Sequence, residues 1–102
     1  MAYHIYRRWG ECVDEPTLEQ MREALADLDA LDDEHPVAWL SHESGWTLSA
    51  YSSGLLIWEN LDAGGPMHMK DIPRDRVLEL WERLSRGDVD AIGHEPWITG
   101  NI

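Results

Sequence analysis

Val37-Ala38-Trp39-Leu40-Ser41-His42-Glu43-Ser44-Gly45-Trp46-Thr47-Leu48-Ser49-Ala50-Tyr51-Ser52-Ser53-Gly54-Leu55-Leu56-Ile57-Trp58-Glu59-Asn60 is the stretch that decides the fold. Ser44-Gly45 and Ser52-Ser53-Gly54 are turn signals, and they cut it into three short runs, Val37–Ser41, Trp46–Tyr51 and Leu55–Asn60. In the second run Trp46, Leu48 and Ala50 alternate with polar residues. The third is apolar on both faces at its start, as a central strand is. Short turns between neighbouring strands predict an antiparallel meander.

Working outward, Asp62-Ala63-Gly64-Gly65-Pro66 reads as a longer loop and Met67-His68-Met69-Lys70 as a fourth strand. A further strand within Tyr3 to Trp9 is expected to add to the edge of the meander. The helices flank the meander in the chain. Leu18, Met21, Leu25, Leu28 and Leu31 repeat with a period near 3.6, which predicts a helix over residues 16 to 31. Pro16 suits its first turn, and Thr17-Leu18-Glu19-Gln20 fits a capping box if the helix starts one residue later. A second helix is predicted from Pro73 to a Gly87 cap, with Val77, Leu80, Trp81 and Leu84 inward. Asp88 to Ile92 adds a short turn, and Pro96-Trp97 is expected to fold back as an apolar anchor. The fold class is therefore α+β: an antiparallel meander of four to five strands against two helices, a two-layer sandwich forming one domain over residues 1–102.

Composition narrows the function. The chain has 102 residues, with 8 Lys plus Arg against 20 Asp plus Glu, a formal charge of −12. Ten acids and one base, Arg22, lie between Glu11 and Glu34, so −9 of that charge belongs to 24 consecutive residues. Glu15, Glu19, Glu23 and Asp27 recur every fourth residue on the outer face of the first helix, with Asp29 and Asp33 beside them. Like charges four apart cost about 0.2–0.5 kcal/mol each in an isolated helix. The stripe is read as a docking surface for a basic partner, set against a solvated face produced by acidic composition alone. Direct nucleic-acid binding is disfavoured at this charge, and no apolar run is long enough to span a membrane. The opening residues do not read as a secretory signal.

The chemistry-bearing residues assemble no recognisable site. Cys12 is the single cysteine and lies beside Glu11 and Asp14, an acidic setting unsuited to a thiolate nucleophile. The five histidines show no zinc-site spacing, and strand alternation accounts for Met67-His68-Met69 without a copper ion. Neither a metal nor a cofactor is expected. Among six tryptophans, Trp39, Trp46 and Trp81 are in phase with core faces. Trp58 lies either in the open or beneath a terminal segment; in the open, beside Glu59, it makes an interface anchor.

An acidic helix written Pro16-Thr17-Leu18-Glu19-Gln20-Met21, a Trp-rich meander with Gly54 before Leu55-Leu56-Ile57-Trp58-Glu59-Asn60, and Ile72-Pro73 opening a helix stand together in this chain. Gly87-Asp88-Val89-Asp90-Ala91-Ile92 and a closing Pro96-Trp97 complete the set. So arranged, the sequence resembles the small immunity proteins of bacterial polymorphic-toxin systems. The resemblance implies a cytoplasmic, non-enzymatic α+β protein that binds and neutralises a cognate toxin domain of nuclease or deaminase type. It carries no binding residue over by motif. The charge argument supplies those expected to touch the partner: Glu19, Glu23 and Asp27, with Trp58 and Glu59. The alternatives are a nucleic-acid-mimicking regulatory or anti-defence protein, and a small ligand-binding domain with a pocket between sheet and helices lined by Trp or Tyr.

Overall fold

The structure is a computed structural model that describes residues 2–30, 34, 36–60 and 64–99. The elements run β1 (Tyr3–Tyr6), β2 (Cys12–Asp14), α1 (Leu18–Asp27), β3 (Val37–His42), β4 (Trp46–Tyr51), β5 (Leu56–Asn60), β6 (Gly64–Met69), α2 (Arg74–Ser85), α3 (Val89–Gly93) and β7 (Ile98–Thr99). All seven strands form one antiparallel sheet in the order β2-β1-β3-β4-β5-β6-β7. The α+β class and the meander are as expected, with more parts: seven strands instead of four or five, and three helices instead of two.

The N-terminal strand adds to the β3 edge of the meander as expected, but it is not the edge of the sheet, because β2 pairs outside it. β1 is inserted between β2 and β3, antiparallel to both, so β2 and β3 run parallel and α1 is the crossover that joins them. β2 and β7 are three and two residues long, too short to show an alternation in sequence. β6 begins at Gly64, inside the segment expected to be loop. The last residue of the first predicted helix and its neighbours Asp32 and Asp33 lie outside the described residues, as do the first two of the loop at 62–66.

The helices cover one face of the sheet. On that face Ile5, Ala38, Leu40, Leu48, Ala50, Leu56, Trp58 and Met69 join Met21, Ala24 and Leu25 of α1 and Val77, Leu80, Trp81 and Leu84 of α2 in one apolar cluster. Register explains the phase: Ile5 pairs with Leu40, Leu40 with Leu48, Leu48 with Trp58, and Ala38 with Ala50, which pairs with Leu56. Directly paired residues share a face, so one choice of side fixes all four strands. Trp81 is fully buried and satisfies its indole N–H by donating to the Leu48 carbonyl at 3.0 Å. Trp97 folds back as expected, donating to the Ile92 carbonyl at 2.8 Å. The molecule measures 32 × 32 × 22 Å, the short axis being one sheet and one layer of helices.

Two tryptophans depart from expectation through this register. Trp39 pairs with Ser49 and Tyr6, not with core residues, and lies half-buried on the face away from the helices. Trp58 is 1% exposed and belongs to the core. Trp46 stacks on it at 4.4 Å and 9°, and Trp97 at 6.1 Å and 13°. An open-surface role for Trp58 is thereby corrected: the C-terminal segment brings Trp97 over it.

Candidate partner-binding surface

Helix α1 starts as its sequence says. The Thr17 hydroxyl accepts from the Gln20 N–H at 3.2 Å, and the Gln20 side chain accepts from the Thr17 N–H at 2.9 Å, a complete capping box. With Met21, Ala24, Leu25 and Leu28 turned inward, Glu19 and Glu23 are left exposed. Glu19 pairs with Arg22 at 2.6 Å, both side chains mostly in solvent, and such a pair is worth little. Among the described residues no ion pair engages Glu23, nor Glu11, Asp14 or Glu15, which precede the helix and are also exposed.

Asp27 has a different role from its two neighbours in the stripe. Arg7, at the end of β1, grips its carboxylate through both Nε, at 3.0 Å, and Nη2. That hydrogen bond, with smaller help from Glu11 and Glu23, holds the Arg7 guanidinium above its usual range against the opposing effect of burial. Arg8, 4% exposed, donates to the Asp27 and Ala30 carbonyls and so closes the end of the same helix. Asp29 pairs with Arg74 at 3.3 Å, whose Nη1 and Nη2 donate to the Tyr51 and Ser52 carbonyls, each at 3.0 Å. Asp27 and Asp29 thus tie the helix to the sheet and to α2, and among the described residues Glu15, Glu19 and Glu23 remain of the stripe as an exposed surface.

Glu59 lies elsewhere. It pairs with Thr47, on the sheet face opposite the helices, and is half-buried. The five residues expected to meet a partner therefore divide three ways. Glu19 and Glu23 are outward on the helix layer, Glu59 is on the far side of the sheet, and Asp27 and Trp58 are occupied within the fold.

The sheet face away from the helices was missed by sequence reasoning, because Trp39 was placed with the core. The β3 pattern, buried at Ala38, Leu40 and His42, holds the signal that reverses that placement. On this outer face one row crosses all seven strands: Cys12, Tyr6, Trp39, Ser49, Ile57, His68 and Ile98. A second row reads Asp14, His4, Ser41, Thr47 and Glu59. Tyr6 stacks on Trp39 at 4.9 Å and 23°, and His4 meets the Tyr6 ring edge-on at 5.1 Å. Ser41 and Thr47 hydroxyls are 3.1 Å apart. The Cys12 thiol, by charge and by hydrogen bonding, raises the Tyr6 phenol above its ordinary value, with smaller contributions from burial and Asp14. Although Cys12, His4 and Asp14 share this face, no hydrogen bond among the described residues links His4 to either of the others. Met67 and Met69 turn to the helix side and His68 to the other, as strand alternation predicts, so the three do not converge.

Among the described residues two hollows stand out. One, of about 220 Å³, lies between α1 and α2 over Leu25 and Leu78, rimmed by Arg22, Asp29, Arg74 and Asp75. The other, of about 260 Å³, is bordered by Ser53, Leu55, Lys70 and Asp71. Neither has the Trp or Tyr lining that a pocket between sheet and helices was expected to show. Compared with protein-family models, with curated proteins and with solved structures, the chain matches none.

Proposed function

We propose that this chain is an immunity-type inhibitor, a non-enzymatic protein that binds a cognate basic toxin domain in the cytoplasm of the producing cell. A toxin that acts on nucleic acid, by cleavage or by deamination, presents a cation-lined cleft to its substrate. An acidic protein surface fits such a cleft and is drawn to it by long-range attraction. The observation that carries this reading is the run of exposed carboxylates from Glu11 through Asp14, Glu15 and Glu19 to Glu23. Arg22 on Glu19 is the one ion pair it makes among the described residues. Self-neutralisation is available to this fold, since α2 pairs Arg76 and Arg83 with Glu79 and Arg86 with Glu82. The first helix and its approach leave their charge open instead.

The test pairs the chain with the toxin domain encoded beside it. Glu19→Lys with Glu23→Lys should preserve the fold, weaken binding at least tenfold, and abolish rescue of cells expressing that domain. Asp27 is left intact because its loss would loosen α1. Full affinity and full rescue in the double variant would remove the helix from the interface. Absence of any protection by the wild-type chain would overturn the inhibitor reading itself.

A further inference from the structure

We propose that the outer face of the sheet is a receptor for arginine side chains of a protein partner, with carboxylates at the two ends of its polar row and aromatic faces alongside. The proposal deepens the inhibitor reading, on which it rests for the partner's basic character, and names a second surface and a residue type.

Three observations converge on this face. First, it is open over β1, β3, β4 and β5: Tyr6, Val37, Trp39, Tyr51 and Ile57 are half-buried side chains on strands whose other face carries all three helices, whereas across β6 His68 is 3% exposed. Second, its strands carry no lysine or arginine, their basic residues being His4 and His68. Arg7 and Arg8 reach toward the end of α1, Arg22 lies on α1, Arg74, Arg76 and Arg83 lie on α2 with Arg86 at its C-cap, and Lys70 follows the end of β6. Third, its polar row begins at Asp14 and ends at Glu59, and no ion pair engages either among the described residues. Neighbouring strands are about 4.8 Å apart, so the two carboxylates sit about 19 Å from each other across five strands.

Charge excludes the other occupants. A nucleic-acid backbone or an anionic lipid surface would meet carboxylates on strands that carry no lysine or arginine. A second copy would bring two more carboxylates to the same face, in a chain already at −12. A basic protein segment is complementary. Between the two cations, arginine suits the face better, because a planar guanidinium can bond a carboxylate through two donors and lie flat on an aromatic ring. The stacked Tyr6–Trp39 pair stands in the row next to the carboxylate row, one residue pair along β1 and β3. An extended segment rises about 3.3 Å per residue, so arginines six apart share a side and span the two carboxylates.

The probe is an acetylated, amidated seven-residue Gly-Ser peptide with arginine at each end, compared with its lysine counterpart. Titration is followed by the backbone amide and Trp indole NMR signals of the full chain at low ionic strength. The expected result is shifts centred on Trp39, Thr47 and Glu59, with arginine bound about threefold more tightly than lysine. Trp39→Leu should bring that ratio close to one, and Asp14→Asn with Glu59→Gln should weaken both peptides without altering the core signals. Shifts confined to α1, equal affinity for the two peptides, or no shift on the outer face would each overturn the arginine receptor. Those outcomes leave neutralisation through α1 standing, because it is read separately by cell rescue.

Discussion

Glu19 and Asp27 are carboxylates two turns apart on one helix, and their surroundings assign them opposite tasks. Asp27, with 21% of its side chain exposed, is held by two donors of Arg7, itself 23% exposed. Charge-assisted, two-pronged hydrogen bonds of this kind stabilise more than neutral ones. Glu19 is 66% exposed, and its one ion pair among the described residues is with Arg22. Asp27→Asn is therefore expected to lower unfolding stability by about 1–2 kcal/mol in urea, and Glu19→Gln by less than about 0.5 kcal/mol. Equal losses would show that the Arg7 contact adds nothing to the fold. Sequence periodicity put both residues on the outward side of the helix, and that much was legible. What was hidden was Arg7, twenty residues away and just past the end of β1, which reaches Asp27 only after the chain has crossed over. A residue's spacing reveals its face; its partner depends on tertiary topology.

Among the elements, the turn between β4 and β5 shows how much local sequence can specify. Gly54 has φ +93°, a left-handed conformation that side chains other than glycine rarely adopt. A Cβ there would also lie 3.3 Å from the Asp71 Cα, a backbone atom with little freedom to retreat. The close approach is fixed by the Ile72 N–H donating to the Gly54 carbonyl at 3.0 Å, which docks the entry of α2 onto the turn. Gly54→Ala should cost more than the roughly 1 kcal/mol of a simple left-handed substitution, seen as a fall in midpoint on thermal or urea melting. A neutral variant would mean that the β4–β5 turn and the α2 entry can separate. The turn signal, the capping box at Thr17 and the spacing of α2 were all readable, because each is encoded within about four residues. β2 and β7 were not readable, since strands of two or three residues exist only through their pairing with β1 and β6. The phase of β3 was ambiguous for a related reason. Trp39 has the larger apolar surface, but Ala38 and Leu40 face Ala50 and Leu48, and the sheet buries the set that agrees across strands.

At the scale of the whole molecule, charge is layered. Each arginine lies on a helix or bonds to the end of one, whereas the strand residues of the outer face carry no lysine or arginine. The −12 balance strains the compact state by self-repulsion, most of all around β2 and the start of α1. Added salt should relieve it: raising NaCl from about 0.05 to 0.5 M shortens the screening length severalfold. The melting temperature is expected to rise by about 5 °C at pH 7, equivalent to about 1 kcal/mol for a domain of this size. The exposed pairs of α2 weaken over the same range, but each is worth only a few tenths of a kcal/mol. A falling melting temperature would show that intramolecular pairing outweighs repulsion. The short edge strand β2 has one more consequence. A sheet edge is a template on which another chain can be laid, and long, uncharged edges seed fibrils. Here the edge offers Cys12–Asp14, three residues bracketed by Glu11 and Glu15, and each added copy would bring the same carboxylates against their own kind. At this edge, growth by strand addition is blocked by both length and charge, so the chain can accumulate in a crowded cell without using that edge to polymerise.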